Sequence, residues 1–274
     1  MNVLGIGKIG CDVADKFSAH EQYGVYKIGS NVEPGEASFY LKQGSDPEKY
    51  DEKPINPNFN INIDSELDVF ISGEDIISAA TLRILENYKD CVIRIFYIKP
   101  NYRFLSETQK LLDKTIYNVL QEYARSKKFD SMYILDYDAI SKVIGKAPIT
   151  QVQSKICDTI CSTIHMINFF DNTAPIMSNY QEAPATYCLN TIGVLDIKKN
   201  DETIFHQLDN VREKRYYYCI NEKQLNTDGD LFGLINSQME SKIEENTSIM
   251  FGVYSTKYES NYCYVVYKSP YIQK

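Results

Sequence analysis

The stretch NVLGIGKIGCDVADKF, residues 2–17, constrains the fold more than any other. A short apolar run leads into G-x-G-x-x-G, made by Gly5, Gly7 and Gly10, and a helical pattern follows. Glycines at that spacing let a strand turn sharply into a helix and let the two pack closely. The free backbone N–H groups at such a helix start are donors for an anion. The motif predicts a strand–turn–helix unit of nucleotide-binding type. The turn alone does not say which ligand it serves.

Downstream, apolar runs alternate with helical patterns. Strands are expected at 2–7, 24–30, 67–72, 91–100 and 131–137, and helices at 12–22, 74–90 and 106–128. Ser106 stands at a cap position with Gln109 three residues on, the spacing of a capping box. Residues 31–62 are rich in Pro, Asn, Gly and charge and read as a long loop with a short strand at 37–41. Such alternation is what a parallel α/β sheet requires. A long helix at 150–170 carries Val152, Ile156, Ile160, Ile164 and Ile167 at helical spacing. Beyond Asp171, strands at 186–197, 214–221, 248–255 and 262–269 and one helix at 231–246 suggest a mixed sheet. The expected class is α/β: a Rossmann-like parallel-sheet domain over 1–150, a core helix and following loop over 151–171, and a smaller mixed-sheet α/β subdomain over 172–274.

A net charge of −8 argues against general binding of nucleic-acid backbones. No run approaches a membrane span and no signal peptide precedes Val3, so the cytoplasm is the expected compartment, with no membrane partner. The seven cysteines are odd in number and form no C-x-x-C, which suits reduced, buried thiols. Cys157, Cys161 and His165 lie four apart on one helical face; the packed side of a helix is the reading, and no metal is expected. A dinucleotide fingerprint also wants an acid at the end of the second strand. That strand ends in Gly29 and Ser30, with Glu33 the nearest acid, so an NAD(P)-binding Rossmann enzyme stays an alternative.

Several segments, in order, resemble the FtsZ/tubulin superfamily. GIGKIGCDVADKF aligns without a gap to a family pattern like GVGGGGCNAVNRM, and FDSMYILDYDAIS stands where the family has a VDSLIVIPNDKLL-like strand and turn. Ile98-Lys99-Pro100 echoes the family's T-K-P. DGDLFGLINSQMESKIEENTSIMFGVYSTKYESNYCYVVYKS follows its C-terminal plan of glycine turn, helix, strand, hairpin and last strand. The resemblance covers nearly the whole chain. It implies a compact, divergent FtsZ-like protein, and the small size and the stop soon after the last strand suit a virus- or plasmid-encoded relative.

The resemblance also implies a nucleotide site. Gly5, Gly7 and Gly10 would bring backbone N–H groups to phosphates, followed by Cys11, while Lys8 and Ile9 stand where the family has glycine. Asp12 and Asp15 replace asparagines and could accept guanine N–H groups; helix-start acids favoured by the macrodipole are the plainer reading. Of the family's G-G-G-T-G-[ST]-G phosphate loop only Gly73 and Ser78 remain, and Glu74 and Asp75 put negative charge where phosphate oxygens would lie. Of the hydrolytic N-x-D-x-x-D only Asn168 and Asp171 have counterparts, with Asp171 the candidate catalytic carboxylate or, alternatively, the cap of a helix after it. Residues 104–110 depart from the family's F-E-G-x-x-R. GTP or GDP is a candidate ligand that the sequence does not require, and hydrolysis is expected to be weak or absent. Longitudinal, filament-type self-association, or binding to another protein that the sequence does not identify, is the expected role, with a GTP-dependent polymerising GTPase as the alternative.

Overall fold

The structure is a computed structural model and describes residues 1–50, 52 and 54–274. It divides into two compact units, 1–161 with Lys274, and 162–273.

The first unit begins with β1 (Asn2–Ile6) and α1 (Gly7–Phe17), then β2 (Gly24–Gly29) and the short β3 (Ser38–Tyr40). β4 (Glu66–Ile71) leads through a 3-10 turn (Ile76–Ala80) into α2 (Thr81–Leu85). β5 (Val92–Lys99), α3 (Glu107–Arg125), β6 (Ser131–Asp136) and α4 (Tyr137–Ile144) follow. The strands run in the order β3-β2-β1-β4-β5-β6, and every pair is parallel. This is the doubly wound order 3-2-1-4-5-6, in which the winding reverses between β1 and β4. Ligands of such sheets bind outside the carboxyl ends of the strands at that reversal, so the topology points to the turns after β1 and β4.

In-register pairing stacks one face of this sheet. Phe70 lies against Phe96 at 5.0 Å and Phe96 against Tyr133 at 4.7 Å, with Phe17 of α1 covering Phe70 at 5.3 Å. At the opposite end of β4, the wholly buried Asp68 takes a two-pronged bond from Arg94, at 2.7 and 2.8 Å. The capping box of α3 forms as the sequence predicts, Ser106 and Gln109 each accepting from the other's backbone N–H.

α5 (Val152–Asp171) passes from the first unit into the second. The second unit continues with β7 (Met177–Ser178), β8 (Leu189–Asp196), β9 (Asp201–Ile204), β10 (Glu213–Asn221), α6 (Glu222–Thr227), α7 (Leu231–Ser241), β11 (Ser248–Thr256) and β12 (Tyr262–Ser269). Its strands order as β9-β8-β12-β10-β11-β7, with β10 and β11 parallel and the other pairs antiparallel. The outer side of β11 is lined by residues 176–180. Asn179 bonds through its backbone to Phe251 O at 3.2 Å and through its side chain to Ile249 O at 3.2 Å and Phe251 N at 2.7 Å. Tyr180 fills the space left by Gly252, where a Cβ would come within 2.8 Å of its ring.

Four expectations are corrected. The first helix starts at Gly7, not at residue 12. Residues 74–90 are not one helix but a 3-10 turn, a five-residue α2 and a second 3-10 turn; β-branched Ile76, Ile77 and Thr81 crowd an α-helical start there. α5 extends through Asp171, so Asp171 ends a helix rather than capping a new one. β11 and β12 form no hairpin, because β10 lies between them.

Gly5 and Gly10 allow α1 to lie on the sheet. A Cβ on Gly5 would stand 2.7 Å from the Cys11 Cα, and one on Gly10 would run into the Phe70 carbonyl of β4. Gly10→Ala is expected to destabilise the protein by about 1–3 kcal/mol, the usual cost of overpacking, in a denaturant titration.

Candidate functional site

The turns after β1 and β4 meet at the reversal of the sheet. Gly7 opens α1 with φ +74°, in the left-handed region that favours glycine. Ile6, at the cap position, offers no side-chain acceptor to the helix. The acceptor comes instead from the β4 turn: the Lys8 N–H donates to Asp75 Oδ2 at 2.9 Å. The other oxygen of Asp75 accepts from Ile77 N–H at 3.0 Å and caps the 3-10 turn.

Three carboxylates gather around this contact. Glu74 is half-buried, and burial together with Asp113 and Asp75 pushes its carboxyl above the ordinary range, against the pull of Lys8. Asp113, on α3, is 1 % exposed and accepts from the hydroxyls of Tyr97 and Tyr102. Burial raises its pKa as well, opposed by the hydroxyls of Tyr102 and Tyr97 and the charge of Lys99. Gly73 is packed against this group, since a Cβ there would stand 2.8 Å from the Asp113 Cα. A cleft of about 770 Å³ opens beside the cluster, lined among others by Lys8, Asn31, Glu74, Asp75, Ile76 and Leu111.

A smaller hollow of about 320 Å³ lies between α1 and the end of β2, lined by Gly7, Cys11, Asp12, Asp15, Lys27 and further residues through Ser38. Asp15 pairs with Lys27 at 2.6 Å, and Asp12 accepts from the side-chain amide of Gln153. The Cys11 thiol points inward to the carbonyls of Gly5 and Ile28, and burial pushes its pKa up to about 12. Burial therefore favours the thiol over the nucleophilic thiolate. Among the described residues no histidine lines either cleft.

The sequence-derived candidates thus separate. Gly5, Gly7, Lys8, Gly10, Gly73 and the Glu74–Asp75 pair come together, and Cys11, Asp12 and Asp15 flank them on α1. Ser78 turns away from the cleft: it is 1 % exposed, and its hydroxyl bonds to the Ser72 carbonyl. Asp171 belongs to the second unit, where it accepts from Tyr217 OH at 3.0 Å; Asn168 is buried one turn before it. The sequence reading missed Asp113 and Gln153. Asp113 carried a signal, since it shares a helical stripe with Ile116, Tyr117, Leu120 and Ala124 of α3. Among the described residues no group of three or more His, Cys, Asp or Glu side chains is placed to hold a metal, and no helix is long and apolar enough to cross a membrane.

No family model and no curated protein matches the chain. Its fold does match solved structures over nearly its whole length. A GTPγS-form protofilament of TubZ from Bacillus thuringiensis serovar israelensis gives a TM-score of 0.71 at 13% identity, covering 97% of this chain and 86% of that one. The empty FtsZ dimer of M. jannaschii gives 0.66 at 8% identity, covering 98% and 87%. CetZ from Methanosaeta thermophila gives 0.64 at 13% identity, covering 98% and 86%. The chain has the FtsZ/tubulin fold.

Glu74 provides a test of the electrostatics. Between the ordinary carboxylate range and its raised folded value, it binds a proton in the folded chain but not in the unfolded one. Its contribution to stability therefore falls as pH rises through that window. Glu74→Gln should melt higher than the unaltered protein at neutral pH, with the gap closing as pH falls below the carboxylate range. Calorimetry at the two ends checks this; an equal gap at both would contradict it.

Proposed function

We propose that the protein is a self-assembling structural protein of the FtsZ/tubulin type whose assembly does not run on GTP hydrolysis. The observation that carries this reading is the gathering of Glu74, Asp75 and Asp113 where the sheet reverses, with Lys8 the one cation among the described residues that line the cleft beside them. Unit charges of like sign about 4 Å apart repel by about 4 kcal/mol at an effective dielectric of 20, which opposes a polyphosphate there. Gly5, Gly7, Gly10 and Gly73 are then kept for backbone packing, and Ser78 for an internal bond. Asp171 is the one carboxylate left for a hydrolytic role, on a helix end where Tyr217 engages it.

Self-association is supported by the neighbours in fold space, among which TubZ is seen in protofilaments and in two- and four-stranded filaments. The TubZ structures also include GTPγS and GDP forms, which favours a second reading, a GTP-dependent polymerising GTPase with an altered pocket. Among the described residues the cysteines form no disulfide, which suits a reducing cytoplasm.

Light scattering and electron microscopy should find assembly without nucleotide, and calorimetry should find no tight binding of GTP, GDP, ATP or NAD. GTP turnover should stay at background at every protein concentration. Turnover that climbs with concentration and is lost in Asp171→Ala would establish the second reading. Tight NAD binding would favour a Rossmann enzyme, and a strictly monomeric protein would end the structural reading.

A further inference from the structure

The cap of α1 comes from a residue 67 positions away. Two independent features fit Asp75 to that place. A side chain at residue 7 would crowd its carboxylate: a Cβ there would lie 2.7 Å from Asp75 Oδ2, and the φ of +74° favours glycine there. The same carboxylate, through Oδ1, also completes the start of the Ile76–Ala80 turn, while the Asp75 carbonyl accepts from Ser78 N–H at 2.9 Å. One side chain therefore satisfies backbone donors on both turns that face each other at the sheet reversal. Donors placed in this way on a strand–glycine–helix turn are suited to an anion.

We infer that Asp75 is a tethered stand-in for a ligand anion: its carboxylate accepts from the Lys8 N–H in the first turn of α1, clasps the turns after β1 and β4 together, and so uncouples this site from nucleotide state. Where loops are bridged by an anion that comes and goes, they order on binding and loosen on release. An acceptor attached to one of the loops is never released, so the switch is held closed. Lys8 lines the same cleft as an exposed ammonium and Glu74 as a carboxylate, with Asp113 buried near Glu74, so added phosphate meets an occupied amide and like charge. The inference deepens the reading above and rests on its premise that no nucleotide phosphate holds these turns.

Asp75→Ala removes a carboxyl group and leaves a space shaped for formate. Without nucleotide, its melting midpoint should fall by about 3 °C or more, as for the loss of a helix cap in a chain of this size. Amide hydrogen exchange should quicken at Lys8 and Ile77 together. Sodium formate should restore part of the midpoint relative to sodium chloride at equal ionic strength, while the unaltered protein responds alike to the two salts. Asp75→Asn, which fills the space and keeps one acceptor, should melt between the two and ignore formate; it also serves if Asp75→Ala does not fold. An unchanged midpoint in either variant, faster exchange at only one of the two amides, or an equal formate effect on variant and unaltered protein would overturn the clasp. Nucleotide-dependent assembly of the unaltered protein would overturn the functional reading instead, and the two failures are read in separate measurements.

Discussion

Everything at the candidate site depends on how closely α1 approaches the sheet. Gly5 and Gly10 remove the two side chains that would hold the helix away from the backbones of β1 and β4. That approach brings the first turn of α1 within hydrogen-bond reach of the β4 turn, and only then can Asp75 bond to Lys8. The stacked rings of Phe17, Phe70, Phe96 and Tyr133 reinforce the same contact from the apolar side. Packing of the hydrophobic core and placement of the polar site are one arrangement seen from two ends of the helix.

The electrostatics then differ from those of a phosphate cradle. A cradle gathers donors and cations around empty space. Here the Lys8 N–H at the helix start already has an acceptor, and two further carboxylates lie near it. Asp113 is tolerated in the interior because two tyrosine hydroxyls bond to it, in keeping with the rule that buried polar groups are satisfied. Glu74 is raised by burial and by the nearby charges of Asp113 and Asp75, against the pull of Lys8.

Much of the fold was legible in the sequence because its signals are local. Alternating apolar runs marked the strands, Ser106 and Gln109 marked the start of α3, and the glycines marked the first turn. α4 was overlooked although Asp136, accepting from Asp138 and Ala139 N–H at 2.8 and 3.1 Å, is an ordinary cap signal. The separation of β11 from β12 by β10 was not legible, since a short connection reads as a hairpin unless a third strand is known to intervene. At the site, Glu74 and Asp75 stood out as charges, but that Asp75 is the cap of a helix 67 residues away has no local signature. Long-range satisfaction of backbone donors is settled by tertiary approach, which periodicity does not encode.

The lining of β11 by residues 176–180 has a consequence for how copies of the chain can meet. An uncovered edge strand offers a row of donors and acceptors on which another strand can grow. On β11 those groups are taken from Ile249 to Val253, partly by the short β7 and partly by the side chain of Asn179, with the Tyr180 ring seated over Gly252. Along that stretch β11 itself cannot take a further strand, and the short β7 forms the edge instead. A strand of another copy could not pair with β11 along that stretch, so contacts made there fall to the short β7 and to side-chain surfaces, whose shape and charge can discriminate among partners.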